Sequence, residues 1–292
     1  PGPDRWAANC VAHLSGLALA RRRPAWARAA ARLPRWAWAA LVLAARLPGA
    51  GRAGPLSEVA ALSRRAGRLR TLAPLIDTVL APTEPVRAAL LRSGFGPAQV
   101  RLLPHAVEGG AIPAPPASSA EPFRIGFIGS LLPHKGAHVL LDALAHVPAA
   151  LPVCAEIFGD PALDPRYSEG LRQKAAGLVH PVNFRGTFPE ARFGDILSRL
   201  DVVVLPSIWM ENRPLTLLSA LHARRPVIVS DMPGMTCEVG DGENGLVVPA
   251  GDASALGAAL TRLAANPGLG AALAAHPRRP PVAGRRDLPL QF

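Results

Sequence analysis

Cysteine is scarce in this 292-residue chain. The three cysteines, Cys10, Cys154 and Cys237, are far apart, odd in number and without the short spacings of metal ligands. This argues against a disulfide framework and against a zinc site, and we expect a reducing, cytosolic environment. Hydrophobic residues make up 49% of the chain, which is too many for a disordered polymer and enough for two domains with real cores.

Long apolar runs are also missing. The longest uncharged apolar run, residues 36–45, is about half of the roughly 20 residues that span a bilayer. We therefore predict no transmembrane helix. The first residues include no methionine and no charged leader followed by an apolar stretch, so we expect no signal peptide and interpret the chain as a fragment.

Acidic residues are rare in the first part of the chain. Residues 1–120 hold 16 Lys and Arg against 5 Asp and Glu, whereas residues 121–292 hold 16 of each, so the net charge of +11 lies entirely in the first part. This asymmetry predicts an anionic partner for the first part, either acidic lipid headgroups or nucleic acid.

The first part reads as an incomplete domain. Residues 5–55 are rich in Ala, Arg and Trp, with prolines that cut any helix into short pieces. Further on, the pattern predicts helices over residues 64–72 and 85–93 and strands over residues 78–81 and 100–103. Proline and glycine then dominate, and we place a linker at residues 109–122 between a first domain, residues 1–108, and a second, residues 123–275. Residues 276–292 show no helical period and are predicted to be an irregular tail.

The second domain alternates short apolar runs with amphipathic segments, beginning with a strand predicted over residues 123–128 and a helix predicted over residues 137–147. The strand candidates are residues 123–128, 153–158, 182–184, 202–205, 227–229 and 246–248. Nearly continuous Val, Ile and Leu imply burial on both faces. The predicted fold is α/β, with a Rossmann-like parallel sheet and helices on both faces. Ligands of such sheets bind beyond the carboxyl ends of the strands.

Two loops at those ends carry suitable chemistry. The loop from Gly129 to Gly136 offers small residues, Lys135 and a helix N-terminus, a combination typical of anion sites, although a tight turn with a solvated lysine would look similar. The loop over residues 206–215 carries Glu211 and Asn212 just before a helix predicted over residues 216–223. These side chains can bond sugar hydroxyls while free helical N–H groups face a phosphate, and Pro214 fits the first helical turn. An exposed loop acid remains the alternative for Glu211.

The ordered motifs carry a family resemblance. They are Lys135-Gly136, Pro206-Ser207, Glu211, Pro226-Val227-Ile228, Ser230-Asp231, Gly234, Glu238 and Gly245-Leu246-Val247. The set resembles the C-terminal domain of glycosyltransferase family four, whose members have the GT-B architecture of two facing Rossmann-like domains. A weaker likeness over residues 76–107 makes residues 1–108 part of the acceptor-side domain.

The resemblance implies a retaining transfer, in polysaccharide biosynthesis, from a UDP-, GDP- or ADP-sugar to a glycan or lipid-linked acceptor, with no cofactor and no metal. It implies catalytic roles for Glu211 and Lys135. The donor-binding residues that it implies are Gly129, Ser130, Lys135, Arg185, Gly186, Glu211, Asn212, Pro214, Leu215, Thr216 and Ser219.

Two residues depart from the family pattern, Ser130 in place of an arginine and Ser219 in place of a second glutamate. They leave open a truncated, catalytically inactive remnant that still binds nucleotide sugars. The basic first part leaves open a peripheral membrane module on the inner face of the membrane. Nucleic-acid binding is disfavoured because the basic residues lack any recognised binding signature.

Overall fold

The computed structural model describes residues 67–105 and 122–276, together with Ala40, Leu43 and Arg64. The interpretations of residues 5–55, of most of the linker and of the tail fall outside these residues, apart from Ala40 and Leu43, which are helical. The described residues divide into two compact units, and the second unit holds Leu80–Arg87 and everything from Leu102 onward.

The first described elements are short. Arg64 and residues 67–72 are helical and lead into a 3-10 turn at Ala73–Leu75. Strand β1 (Val79–Ala81) and strand β2 (Val100–Leu102) form a two-stranded sheet, and helix α1 (Glu84–Arg92) lies between them in the chain. The elements predicted over residues 64–103 are thus present, with ends that differ by one or two residues.

A six-stranded, wholly parallel sheet organises the rest of the chain. Its strands are β3 (Phe123–Ile128), β4 (Val153–Phe158), β5 (Val182–Gly186), β6 (Val202–Leu205), β7 (Val227–Ser230) and β8 (Leu246–Val248). Neighbouring strands pair in the order β5-β4-β3-β6-β7-β8. All residues of β6 and β7 are buried, as expected for strands covered on both faces. The predicted α/β, Rossmann-like fold is confirmed.

Helices cover both faces of the sheet. They are α2 (Ala137–Leu144), α3 (Pro165–Ala176), α4 (Phe193–Ser198), α5 (Leu215–His222), α6 (Pro233–Thr236), α7 (Ala253–Ala264) and α8 (Pro267–Ala275). One core packs side chains of α2 and α7, such as Leu140 and Leu260, against Ile125 of β3. The other packs side chains of α4 and α5, such as Leu197 and Leu217, against the opposite face.

Helix α2 is shorter than predicted. The sequence pattern indicated a helix to Val147, but the amides of Ala145, His146 and Val147 each bond the carbonyl three residues earlier, as a tightening turn does. Pro148 follows, and the residue before a proline avoids the helical conformation. The apolar pattern continues through Val147 because that side chain is 5% exposed, in the core, without being helical.

The strand order fixes where a ligand can bind. From β3 the chain goes outward to β4 and β5, and it then returns to β6 on the other side of β3. The connections on the two sides of this point run in opposite directions, which opens a crevice beyond the carboxyl ends of β3 and β6. The two loops singled out from the sequence follow these two strands.

Candidate active site

An ion pair joins the two loops beyond β3 and β6. Lys135 Nζ lies 2.7 Å from Glu211 Oε1, and the two side chains are 28% and 14% exposed. The Ser207 hydroxyl donates a second hydrogen bond to the same oxygen, at 2.9 Å. The sequence predictions for Lys135 and Glu211 therefore fall on two side chains that are in direct contact at the crevice.

Backbone contacts hold these loops together. Gly136 has a left-handed φ of 77° and ends the 3-10 turn Pro133–Lys135. A Cβ atom on Gly136 would lie 1.9 Å from the carbonyl oxygen of Pro206, so only glycine fits here. In addition, the Ile208 amide donates to the His134 carbonyl at 3.0 Å. The separation of Lys135 and Glu211 is thus set mainly by main-chain packing.

The two loops that carry the ion pair also contain backbone amides without a partner. Among the described residues, the amides of Ser130 and Ala137 donate to no other group. Across the crevice, α5 begins at Leu215 without a side-chain cap, so its first amides have no intrahelical partner. Pro214 is the extended N-cap residue rather than part of the first helical turn, which corrects the sequence interpretation. Two helix N-termini with open donors favour an anion in this crevice.

A buried charged pair supports the second loop from behind. Arg213 and Glu238 have side chains only 1% and 5% exposed. Arg213 Nε donates to Glu238 Oε1 at 2.7 Å and Nη1 donates to the His105 carbonyl at 2.6 Å, whereas Nη2 lies 2.7 Å from Oε1 without making a hydrogen bond. Burial raises the pKa of Glu238, and Arg213 opposes that shift.

Gly234 of α6 packs against the same loop, since a Cβ there would lie 1.7 Å from the carbonyl oxygen of Glu211. Sequence reasoning matched Glu238 and Gly234 to motifs but gave Arg213 no role. Its neighbours, Glu211 and Asn212, drew attention because they are polar at a strand end. The sequence contained no usable signal for Arg213, because its partner Glu238 lies 25 residues away and only folding brings the two side chains into contact.

The loop after β5 extends the row of strand ends. The Gly159 amide, after β4, donates to the Gly186 carbonyl at 2.9 Å, and Gly186 has a left-handed φ of 69°. Arg185 does not reach the ion pair. Its guanidinium instead bonds both carboxylate oxygens of Glu156, and this raises the pKa of Arg185. Phe188 lies against Phe158 and Phe193.

Comparison with known proteins decides the family. The model described as "Glycosyl transferases group 1" matches residues 122–266, which contain the whole parallel sheet. This domain belongs to the group 1 glycosyl transferases. Its fold is also found in HepE of Anabaena, crystallised with UDP and glucose, which is 21% identical with a TM-score of 0.65 over 76% of this chain and 69% of that one. A sucrose-phosphate synthase from Thermosynechococcus elongatus is 27% identical, with a TM-score of 0.61 over 72% of this chain and 55% of that one.

Curated relatives of this glycosyl transferase domain agree. A phosphatidyl-myo-inositol mannosyltransferase from Mycobacterium leprae is 37% identical over 137 residues, which cover 46% of this chain and 35% of that protein. A D-inositol 3-phosphate glycosyltransferase from Corynebacterium urealyticum is 32% identical over 146 residues, or 48% of this chain and 34% of that protein. The chain thus spans about a third of the length of these relatives.

The remaining predicted residues of the glycosyl transferase domain lie on the same two loops or on α5. Gly129 and Ser130 directly follow β3 and are half-buried. Asn212 is exposed beside Glu211, and Leu215 is 56% exposed at the start of α5. Thr216 and Ser219 are both partly exposed and lie three residues apart, on one side of α5. The two residues that depart from the family pattern, Ser130 and Ser219, therefore lie directly after β3 and on α5.

A histidine–tyrosine pair beside the first loop was missed by sequence reasoning. The His138 amide donates to Tyr167 Oη at 3.2 Å, and His138 Nδ1 is hydrogen-bonded to the same oxygen at 2.8 Å. Burial lowers the pKa of His138 and raises that of Tyr167 to about 12. Tyr167 thus occupies one amide at the start of α2 and leaves Ala137 as the open one. Tyr167 drew no attention because it lies inside α3, outside any strand-end loop.

The described part of the chain contains no cluster of three or more His, Cys, Asp or Glu side chains placed to hold a metal ion.

Among the helices that the structure describes, none is long and apolar enough to cross a membrane.

Proposed function

We propose that this chain binds the donor of a retaining glycosyltransferase, which moves a sugar from a nucleoside diphosphate sugar to a glycan or lipid-linked acceptor. The observation that carries the proposal is the Lys135–Glu211 contact at the topological switch point, between two helix N-termini with open amides. A diphosphate is an anion of the kind that helix N-termini bind, and the hydroxyls of a sugar can donate hydrogen bonds to a carboxylate.

In this proposal the diphosphate lies against the Gly129 loop and Lys135, and the sugar lies against Glu211 and the first amides of α5. The nucleoside lies toward residues 183–188. Lys135 has three donors, so it can bond phosphate oxygens while keeping one bond to Glu211. Fixed cationic and amide donors stabilise the charge that develops on the departing diphosphate.

Retention of configuration follows from same-face attack. The bond between the sugar C1 and the diphosphate oxygen breaks, the acceptor oxygen forms a bond to C1 from the same side, and its proton passes to the departing phosphate. This chemistry requires no acid–base dyad from the protein. The chain's own residues orient the donor and stabilise the leaving group, which is where enzymes of this type gain most of their rate.

The names of the relatives suggest which acceptors to test. A phosphatidyl-myo-inositol mannosyltransferase and a D-inositol 3-phosphate glycosyltransferase both act on an inositol carrying a phosphate. We therefore propose phosphorylated inositols, free or lipid-linked, as the first acceptors to offer, with glycans as the second group.

Calorimetric titration of the chain with UDP, GDP and ADP tests the donor site. We expect saturable binding of one nucleotide and a loss of roughly 10- to 100-fold in affinity in Lys135→Ala, as for a lost bond to a charged group. The matched control is Lys174→Ala, because Lys174 is the only other lysine in the sequence and pairs with Asp142 on the α2–α3 surface. No binding by folded wild-type chain would contradict the proposal. Binding without transfer or donor hydrolysis would favour an inactive remnant.

The charge of the first part supports a second, compatible role at a membrane. Residues 1–120 carry 16 basic and 5 acidic residues. We propose that this part docks on anionic lipid at the inner, cytoplasmic face of the membrane, where a lipid-linked acceptor would be found. Co-sedimentation with phosphatidylserine-containing vesicles should fall as salt rises, and it should be absent with phosphatidylcholine alone. Equal binding to both vesicle types would contradict this role.

A further inference from the structure

The two oxygens of the Glu211 carboxylate differ in their surroundings. Oε1 accepts from both Lys135 Nζ, at 2.7 Å, and the Ser207 hydroxyl, at 2.9 Å. No described residue donates to Oε2, and Oε2 is not among the buried polar atoms without a partner. One oxygen is therefore held by the protein, and the other is open to a ligand.

The two donors to Oε1 are not equivalent once a ligand arrives. Lys135 is a flexible ammonium 28% exposed at the crevice, and a bound diphosphate would attract its charge and share its donors. Ser207 is 4% exposed and directly follows Pro206, whose carbonyl packs against Gly136. The Ser207 hydroxyl is consequently the donor to Oε1 that stays in place when a diphosphate binds.

We infer that Ser207 is a positioning residue, which fixes Oε1 of Glu211 so that Oε2 faces the hydroxyls of the donor sugar. This inference rests on the proposed function and names a residue within the proposed site. Without the Ser207 hydroxyl, the carboxylate loses its fixed donor and rotates about its terminal torsion, which has a broad energy minimum. The diphosphate and nucleoside contacts are unaffected, because they involve other groups.

Loss of the Ser207 hydroxyl should therefore lower the affinity for a nucleotide sugar but not the affinity for its parent nucleoside diphosphate. The measurement is calorimetric affinity for a nucleotide sugar and for its parent nucleoside diphosphate, using UDP-glucose with UDP, GDP-mannose with GDP and ADP-glucose with ADP. For the pair that the wild-type chain binds, Ser207→Ala should weaken nucleotide-sugar binding about 10-fold, as for a lost hydrogen bond to a charged group. Affinity for the diphosphate alone should change less than about twofold.

Ser168→Ala is the matched control. Ser168 is also buried, at 2% exposure, and its hydroxyl also makes one hydrogen bond, to the Pro161 carbonyl at 3.1 Å, but it does not touch Glu211. If Ser207→Ala does not fold, Ser207→Cys keeps a similar shape with a weaker donor and should give a smaller loss confined to the nucleotide sugar.

A double-mutant cycle separates positioning from general structure. In a Glu211→Ala background, Ser207→Ala should have no further effect on nucleotide-sugar affinity, because the carboxylate that it positions is gone. An equal loss for sugar and diphosphate, no loss for either, or additive losses in the cycle would overturn the inference while leaving the donor site intact. Failure of the wild-type chain to bind any of the three pairs would overturn the proposed function, and this inference with it.

Discussion

At the scale of single residues, Arg213 and Glu238 form a charged pair almost completely removed from water. Arg213→Met would leave the Glu238 carboxylate buried without its guanidinium partner. We expect this to lower the free energy of unfolding by about 3–5 kcal/mol, the usual cost of breaking a buried pair. Urea denaturation measures the change. Adding Glu238→Leu should recover part of the loss, because both charges are then absent.

Arg87→Met provides the comparison for that prediction. Arg87 pairs with Glu84 at 2.8 Å on α1, but these side chains are 32% and 52% exposed. Exposed pairs contribute at most about 1 kcal/mol, so this variant should be close to wild type in the same urea experiment. Equal losses in the two variants would show that burial is not what makes the Arg213 pair important.

His138 gives the stability a pH dependence of known sign. Burial lowers its pKa, with Asp142 opposing and Lys174 reinforcing the shift. An unfolded histidine takes up a proton near pH 6.5, before the folded one does. Between these two pKa values the unfolded state binds more protons, so the free energy of unfolding should fall as the pH drops below about 6.5.

His138→Asn should flatten this part of the profile, because asparagine does not titrate and its side-chain amide, which has both a donor and an acceptor, can still bond the Tyr167 hydroxyl. Unfolding free energies measured in urea from pH 5 to 8 provide the check. His146→Asn, at an exposed histidine just after α2, should keep the wild-type profile. A wild-type slope retained in His138→Asn would assign the pH dependence to another group.

At the scale of elements, two helical glycines should respond oppositely to the same substitution. Gly170 lies inside α3, and a Cβ there would meet nothing within 4 Å. Gly257 lies inside α7, where a Cβ would come within 2.7 Å of His146 Cβ and 2.8 Å of the Ala143 carbonyl, at the packing contact with α2.

Gly170→Ala should therefore stabilise the chain by about 0.5–1 kcal/mol, through the better helix propensity of alanine. Gly257→Ala has the same propensity gain, but it must push α7 away from α2 and should be destabilising overall. Thermal unfolding of the two variants measures both effects. A stabilised Gly257→Ala would mean that α7 can move at little cost.

The elements also show what sequence reasoning can reach. The strands were predicted because a buried parallel strand, such as Val202–Leu205, is a continuous apolar run. The end of α2 and the place of Pro214 were wrong by a few residues, because apolar periodicity marks burial and not main-chain conformation. The contact between Lys135 and Glu211 could not be predicted from the sequence, because it depends on the close packing of Gly136 against Pro206, 70 residues away.

At the scale of the whole molecule, ligand binding and folding should be linked. A ligand that binds only the folded state stabilises it by about 2.7 kcal/mol at 100 times its dissociation constant. The nucleoside diphosphate that binds should raise the unfolding midpoint accordingly, whereas its nucleoside should not, because in the proposed site the open amides and Lys135 bind the phosphates. Thermal unfolding with each compound tests this, and Lys135→Ala should need a higher diphosphate concentration for the same shift. A similar shift with the nucleoside would place recognition away from the phosphates.

The whole chain also sets the boundary of what the sequence could predict. The candidate donor site could be predicted from the sequence because its motifs follow successive strands of one sheet, within residues 122–266. The acceptor could not be predicted, because the curated relatives match this chain over only about a third of their own length. The base and the sugar could not be predicted either, because the main-chain amides among the proposed donor contacts can be supplied by any residue.

The pairing of Lys135 with Glu211 finally bears on competition between ligands. The only lysine in the crevice already has a carboxylate 2.7 Å away, which acts as an internal counter-ion. A chloride or free phosphate ion would have to compete with that carboxylate while gaining few other contacts. In the proposed donor site, a nucleotide would gain further contacts along the row of strand ends. The internal counter-ion should therefore make the proposed donor site select a nucleotide over chloride or free phosphate.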